Sequence, residues 1–431
     1  MRARAVLVLL ACAAIAVAAG CGGSKAEPFR IGILSDCYGP FSSSHELIIA
    51  SAELPLIERG AQLRGRKPSD GLEPIRVAGK QVELRVGCVT GTEDVLTEAR
   101  RLVEEDGAQV VVGPLSPEHG LVLREYARRR PGTVFLIQPS GAPELTLTDP
   151  APNVFRFILD AAQYAAGLGT YAYRQLGWRT AATVTDDIPY SWANVAGFVA
   201  EFCALGGHIV DRQWITLGSD PAETVPRIPK SADGVYLGAG ISPLQGFIRR
   251  YSALHRDLSR RLLSDASLLF DPQMVARTRG LVVGGNVRLA PTRTEGAYVA
   301  AFTKVFPSIP AAAALNPLSV PYRDGVEAAL AALEQVEGDI SDGGTPFMNV
   351  LAHVRLESPM GRIHLDGNRQ GVGPSYLSQV GTDPQGKPAI RTLRVVPNVE
   401  QTFGGYFKPG DPPPSRTSPA CKQGNPPPWA G

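Results

Sequence analysis

Ala108-Gln-Val-Val-Val-Gly113-Pro-Leu-Ser116-Pro-Glu118 decides how this chain is read. Its first half is a short β-branched run, the composition of a strand buried on both faces of a parallel sheet. Its second half breaks at Gly113-Pro114 and offers Ser116 as an N-cap, Pro117 at the first helical position and Glu118 against the positive helix end. A helix is predicted over Pro117–Arg130, with Val122/Tyr126 and Leu123/Ala127 four apart on one face. The unit then repeats, with Val134-Phe-Leu-Ile137 as strand and Gln138-Pro-Ser-Gly-Ala-Pro-Glu144 as break. Two neighbouring strands therefore deliver hydroxyls and backbone N–H groups to one sheet edge, the edge where open α/β sheets bind ligands. A helix start at that edge can hold an anionic group such as a carboxylate.

The same alternation extends on both sides. Phe29–Leu34 and Val82–Val86 read as earlier strands, with helices from the capping pattern Ser43-x-x-Glu46 to about Gln62 and over Glu93–Asp106. The polar section Arg64–Gly79 reads as an exposed loop. A β-α-β-α pattern of this kind specifies a parallel sheet with right-handed crossovers. Val154–Ile158 then opens a second series. It has a helix over Ala161–Leu176, strands at Arg179–Thr185, His208–Ile215, Gly234–Leu237 and Arg261–Leu263, and a helix over Trp192–Leu205 after the loop Asp186–Ser191. Gly280–Val287 reads as a crossing strand, followed by helices near Glu295–Phe306 and Tyr322–Gln335. The segments Gly361–Asn368, Ser375–Val380 and Ile390–Val396 read as an antiparallel appendage. The expectation is an α/β chain with two doubly wound parallel-sheet lobes, and no repeat of solenoid length.

The ends of the chain carry their own signals. Arg2 and Arg4 precede the apolar run Ala5–Ala19, which closes at Ala18-Ala-Gly-Cys21, the form of an export signal too short to span a bilayer. Cys21 resembles the lipidated residue of bacterial lipoproteins, although Ala18 stands where that motif usually has Leu; ordinary cleavage after Ala18 is the alternative. Residues after 400 are rich in proline, including Pro412–Pro414 and Pro426–Pro428, and read as an extended or disordered tail.

The 43 basic and 41 acidic residues leave a net charge of +2, which gives no reason to expect nucleic-acid binding. Four cysteines remain once Cys12 in the leader and Cys21 are set aside. Cys37 and Cys88 each follow the carboxyl end of a strand; if those strands are neighbours, a disulfide can span them. That leaves Cys203 to pair with Cys421. There is no C-x-x-C, and the six histidines lack ligand spacing, so no metal site and no cofactor site are read. Nor is there a nucleophile elbow or a zinc-protease motif, so nothing points to an enzyme. Gly381–Lys387 fits the spacing of a phosphate-binding loop, but Pro388 stands where Ser or Thr is needed, and it reads as a hairpin turn.

Val111–Ser116 and Ile137–Thr146, with Gly39-Pro40, the Tyr190 loop, Tyr236…Gly238 and Gly361…Gly367, together resemble the type I periplasmic binding proteins. The branch is the leucine/isoleucine/valine receptors of ABC importers. The resemblance runs from about Phe29 to Val396. It implies two lobes joined by three crossovers, here near Ile158, Val287 and Gly361, with a ligand held in the cleft between them and closure as a hinge motion. The implied division is a leader at 1–20, a tether at 21–28, an N-terminal lobe at 29–157 plus 288–358, a C-terminal lobe at 158–287 plus 359–400, and the tail at 401–431.

Position by position, the resemblance places Ser116, Ser140, Gly141 and Ala142 at the ligand's carboxylate and ammonium groups. It sets Tyr190 closing over the ligand and Asp265 at the ammonium. Ser44 and Ile241 (or Gly240) stand where branched-chain receptors carry aromatic residues, so the amino-acid specificity stays open. Each serine reads equally as a plain cap or turn residue, Tyr190 as an exposed loop aromatic and Asp265 as a solvated carboxylate. The implied function is a monomeric receptor, lipid-anchored at the outer face of the cell membrane. It would carry an amino acid, amide or small carboxylate to ABC permease subunits; the alternative is a sensor of the same fold that signals to a membrane partner.

Overall fold

The computed structural model describes residues 27–39, 41–255 and 257–431. The leader and Cys21 lie outside them. Among the described residues no helix is long and apolar enough to cross a membrane.

The first sheet has six strands: β1 (Phe29–Asp36), β2 (Ile75–Val77), β3 (Lys80–Val89), β4 (Val110–Val112), β5 (Val134–Leu136) and β6 (Val154–Phe155), in the order β2-β3-β1-β4-β5-β6. All but β2 run parallel. Side-chain alternation explains why its strands are apolar throughout. Ile31, Ile33, Val110 and Val112 pack on one face with the helices His45–Glu58 and Val320–Gln335. Leu34 and Val111 pack on the other with Thr92–Arg100 and Pro117–Ala127. The strand β2 was not expected, because Ile75-Arg-Val77 is buried in a polar stretch of sequence. It forms through a two-residue turn at Ala78-Gly79, both with positive φ, the hairpin geometry that matches strand twist. Val154–Phe155 closes the first sheet instead of opening the second.

The second sheet contains β7 (Thr180–Asp186), β8 (His208–Ile215), β9 (Gly234–Leu237), β10 (Leu262–Asp265) and β11 (Val282–Gly285), all parallel in the order β11-β10-β9-β7-β8. The later strands β12 (Leu356–Ser358), β13 (Gly361–Leu365), β14 (Gly371–Thr382) and β15 (Pro388–Val399) are antiparallel, as read. They are no appendage, however: β14 hydrogen-bonds along β11 and so extends the second sheet, and the turn Asp383–Lys387 joins β14 to β15. The expected helix Ala161–Leu176 is interrupted: a turn at Gln163–Ala165 is followed by Gly167 in the left-handed region, and the helical winding runs from Leu168 through Gln175.

Both disulfides are present. Cys37–Cys88 joins the ends of the adjacent strands β1 and β3 at a Cα separation of 5.2 Å, and Cys203–Cys421 spans 5.4 Å. Their sequence separations, 51 and 218 residues, correspond to roughly 4 and roughly 5 kcal/mol in a chain-entropy account. The second bridge is one part of a larger correction. The tail is extended but docked: Phe403, Tyr406, Phe407 and Trp429 are buried in the core that contains Phe198 and Phe202. Four aromatic side chains supply the apolar area that proline-rich sequence alone lacks.

The chain first crosses between lobes at Arg156. This side chain is fully buried and donates to Gln370 Oε1 at 2.6 Å, to the carbonyls of Ser140 and Ala142 at 2.9 and 2.6 Å, and to Thr146 Oγ1 at 3.0 Å. Asp160, also buried, lies 3.7 Å from the guanidinium and accepts from Gln401 Nε2 at 2.7 Å. A single bridge pairs Arg156 with Gln370. Leu356 and Ile363 pack in the core of the first sheet, while β13 pairs with β14, which extends the second.

Candidate ligand-binding cleft

A cleft of about 360 Å³ opens between the carboxyl edges of the two sheets. The first-lobe wall starts with Gly113, whose φ is +104° and where an added Cβ would sit 2.5 Å from the Leu34 carbonyl. Only glycine fits this turn. It carries the chain into Leu115, Ser116 and Pro117, which line the cleft. Ser116 occupies the N-cap of the helix Pro117–Ala127 with extended backbone, yet its hydroxyl makes no capping bond. The hydroxyl is thus free of the structural duty that the sequence allowed, beside helix-start N–H groups that have no partner within the helix.

The next turn separates its residues. Gly141 faces the cleft, with Tyr190 Cδ2 3.4 Å from where its Cβ would be. Ser140 points the other way: it is fully buried, its hydroxyl has no partner, and it presses on Gly120 in the helix behind. Ala142 turns into the apolar cluster around Leu123 and Phe135. Neither Ser140 nor Ala142 lines the cleft; both instead give their carbonyls to Arg156. Ser44 is also outside, at the N-cap of His45–Glu58. From the same loop it is Phe41 that enters the cleft, so an aromatic is supplied three residues before the position expected to hold one.

The second-lobe wall is made of side chains. Tyr190 lies in the first turn of the helix Pro189–Ala204, not in a loop, because Pro189 takes the first helical position. It is partly exposed, and burial with the nearby Asp265 and Tyr164 holds its hydroxyl protonated well above the usual range. Asp265, at the end of β10, is 3% exposed rather than solvated. Its oxygens accept from Ala239 N at 2.5 Å, from Ser267 N at 2.9 Å and from the Ser267 hydroxyl. Burial outweighs these bonds and pushes its carboxyl up to about 6. Ile241 forms an exposed lip, on a loop whose N–H groups at Ile241 and Ser242 are held by Asp186 Oδ2.

Five of the eight expected ligand residues therefore meet in one cavity: Ser116, Gly141, Tyr190, Ile241 and Asp265. Tyr164, Phe270, Asn286 and Leu318 join them without having been singled out. Among the described residues two charged side chains line the cleft, Glu118 and Asp265, and no Lys, Arg or His does so. An anionic group here is left to backbone N–H groups, hydroxyls and the carboxamides of Asn286 and Asn316, and a cationic one has Asp265. The rest of the lining is largely apolar and aromatic.

The family model described as "Periplasmic binding protein" matches residues 28–387. No curated protein matches the chain in sequence. Among solved structures, an ABC transporter substrate-binding protein from Sphaerobacter thermophilus superposes with a TM-score of 0.74 at 22% identity, covering 87% of this chain and 99% of its own. A solute-binding protein of an ABC transporter from Rhodopseudomonas palustris BisB5, in complex with 3,4-dihydroxybenzoic acid, gives 0.70 at 20% identity, covering 87% and 98%. A leucine-binding protein from Thermotoga maritima MSB8 gives 0.65 at 17% identity, covering 85% and 98%.

Proposed function

The chain belongs to the periplasmic binding protein family, and from that premise we propose that it is an extracytoplasmic receptor for a small zwitterion with an apolar side chain, delivered to an ABC importer. The observation that carries this reading is the pairing of two unlike ends across one cavity. The helix start at Ser116–Glu118 offers donors for a carboxylate, and the buried carboxyl of Asp265 faces the same space and suits an ammonium. Phe41, Tyr164 and Tyr190 would enclose the side chain. Their aromatic character favours a second reading, an aromatic carboxylate such as the dihydroxybenzoate bound by the Rhodopseudomonas protein. The signal sequence and Cys21 support a lipid anchor.

Titration calorimetry with leucine, phenylalanine and 4-hydroxybenzoate across the acid range separates these readings. Asp265 must be ionised to hold an ammonium. Affinity for the zwitterion therefore falls as pH drops through about 6, approaching tenfold per pH unit. A benzoate gains affinity over the same interval, because protonation removes a like charge. An amino acid whose affinity is flat through this range, or rises on acidification, rules out the Asp265–ammonium pairing.

A further inference from the structure

A second cavity, of about 300 Å³, lies in the first lobe away from the cleft, between the helix His45–Glu58, the sheet face at β1 and β3, and the connection that leads to β2. Its wall includes Ile33, Ile49, Leu56 and Val82, and Glu53 lines it from the helix. Glu53 is 1% exposed, and its Oε2 is buried with no hydrogen-bond partner. A carboxylate so placed loses its hydration without replacement. The other acids of the cavity are already matched: Glu73 lies 3.7 Å from Arg64, and Glu83 lies 2.6 Å from Arg85 and 3.2 Å from Arg30. The charges that act on Glu53 are of its own sign, Glu46 from its helix and Asp70 from the connection, and with burial they raise its carboxyl to about 8.

We propose that this cavity is a second small-molecule site, which binds an organic monoamine with its ammonium on Glu53 and its hydrocarbon body against the partly exposed side chains of Leu72, Ile75 and Leu84. An ammonium supplies both the missing charge and the missing donor, and the apolar wall takes the remainder. The volume is at the lower end of ligand pockets, which sets the size at a few carbons. The site is independent of what the cleft binds.

The test uses n-butylamine and cyclohexylamine as probes, with cyclohexanol as the neutral control. Calorimetry on the protein at neutral pH is run in two buffers of different ionisation enthalpy. The expected result is one amine bound per chain with release of close to one proton, since Glu53 is protonated when the site is empty, and no binding of cyclohexanol. Binding persists in Tyr190→Ala and weakens at least about tenfold in Glu53→Gln, whose fold is checked by its melting transition. No amine binding at millimolar concentration overturns the proposal, as does amine binding without proton release. Loss in Tyr190→Ala, or retention in Glu53→Gln, also overturns it. The proton count needs no variant and decides the matter even if Glu53→Gln does not fold.

Discussion

The two walls of the cleft are built by different means. The first lobe presents mainly turns, with Ser116 and Gly141 bringing backbone and one small hydroxyl to the cavity beside Phe41 and Leu318, and Gly113 setting the turn behind them. The second presents Tyr190, Ile241, Phe270 and Asp265, side chains whose positions depend on loops tied down by carboxylates. Backbone donors accept any carboxylate, so the first wall recognises a chemical class. The second wall holds the buried acid and most of the aromatic side chains, Tyr164, Tyr190 and Phe270 against Phe41, so discrimination between ligands resides there.

The largest expected effect tests the rigidity of the first wall. Gly113→Ala forces a positive φ on a residue with Cβ and drives that atom towards the Leu34 carbonyl. It should lower unfolding free energy by about 3 kcal/mol, read from a urea midpoint. On the second wall, Asp265→Asn should weaken zwitterion binding by about 2 kcal/mol, roughly thirtyfold, and strengthen binding of a benzoate, because it removes the same like charge that protonation does. Equal losses for both ligands would erase the division of labour between the walls. Tyr190→Ala is expected to cost about 1 kcal/mol in binding by calorimetry, through lost aromatic contact. Ser116→Ala should lose only about 0.5–1 kcal/mol of binding and leave the melting temperature unchanged, because the hydroxyl does not cap its helix. A clear drop in melting temperature would instead return Ser116 to a structural role. Ser140→Ala closes the series: affinity should not change, and stability should hold or rise slightly, because the buried hydroxyl it removes is unpartnered.

The first wall was also the more legible in sequence. Val110-Val-Val112 followed by Gly-Pro and Ser-Pro encodes strand, turn and helix start in one local run, and β4 and its helix fall there. What local sequence could not supply was direction. Ser140 and Gly141 are adjacent, yet one faces a helix and the other the cleft, and only the packing of Gly120 against Ser140 decides which. Phe41 escaped notice for a related reason, since a loop has no periodicity to say which side chain turns inward. Asp265 could be placed at a strand end, but whether it was solvated depended on the Ala239 and Ser267 loops closing over it. The tail's aromatics at 403, 406 and 407 do keep helical spacing, but Gly404-Gly405 between them and the proline-rich run after them break any helix, so their common burial with Trp429 was hidden until the lobe they cover was folded.

The lip residue Ile241 has a practical consequence. It is 52% exposed yet lines the cleft mouth, where an approach of the lobes changes its surroundings. In residues 27–431 all four cysteines are locked in pairs. An Ile241→Cys chain beginning at Glu27 therefore presents a single thiol to a maleimide dye. Dye brightness would then gauge the concentration of the solute, making the molecule an optical meter that needs no coupled reaction.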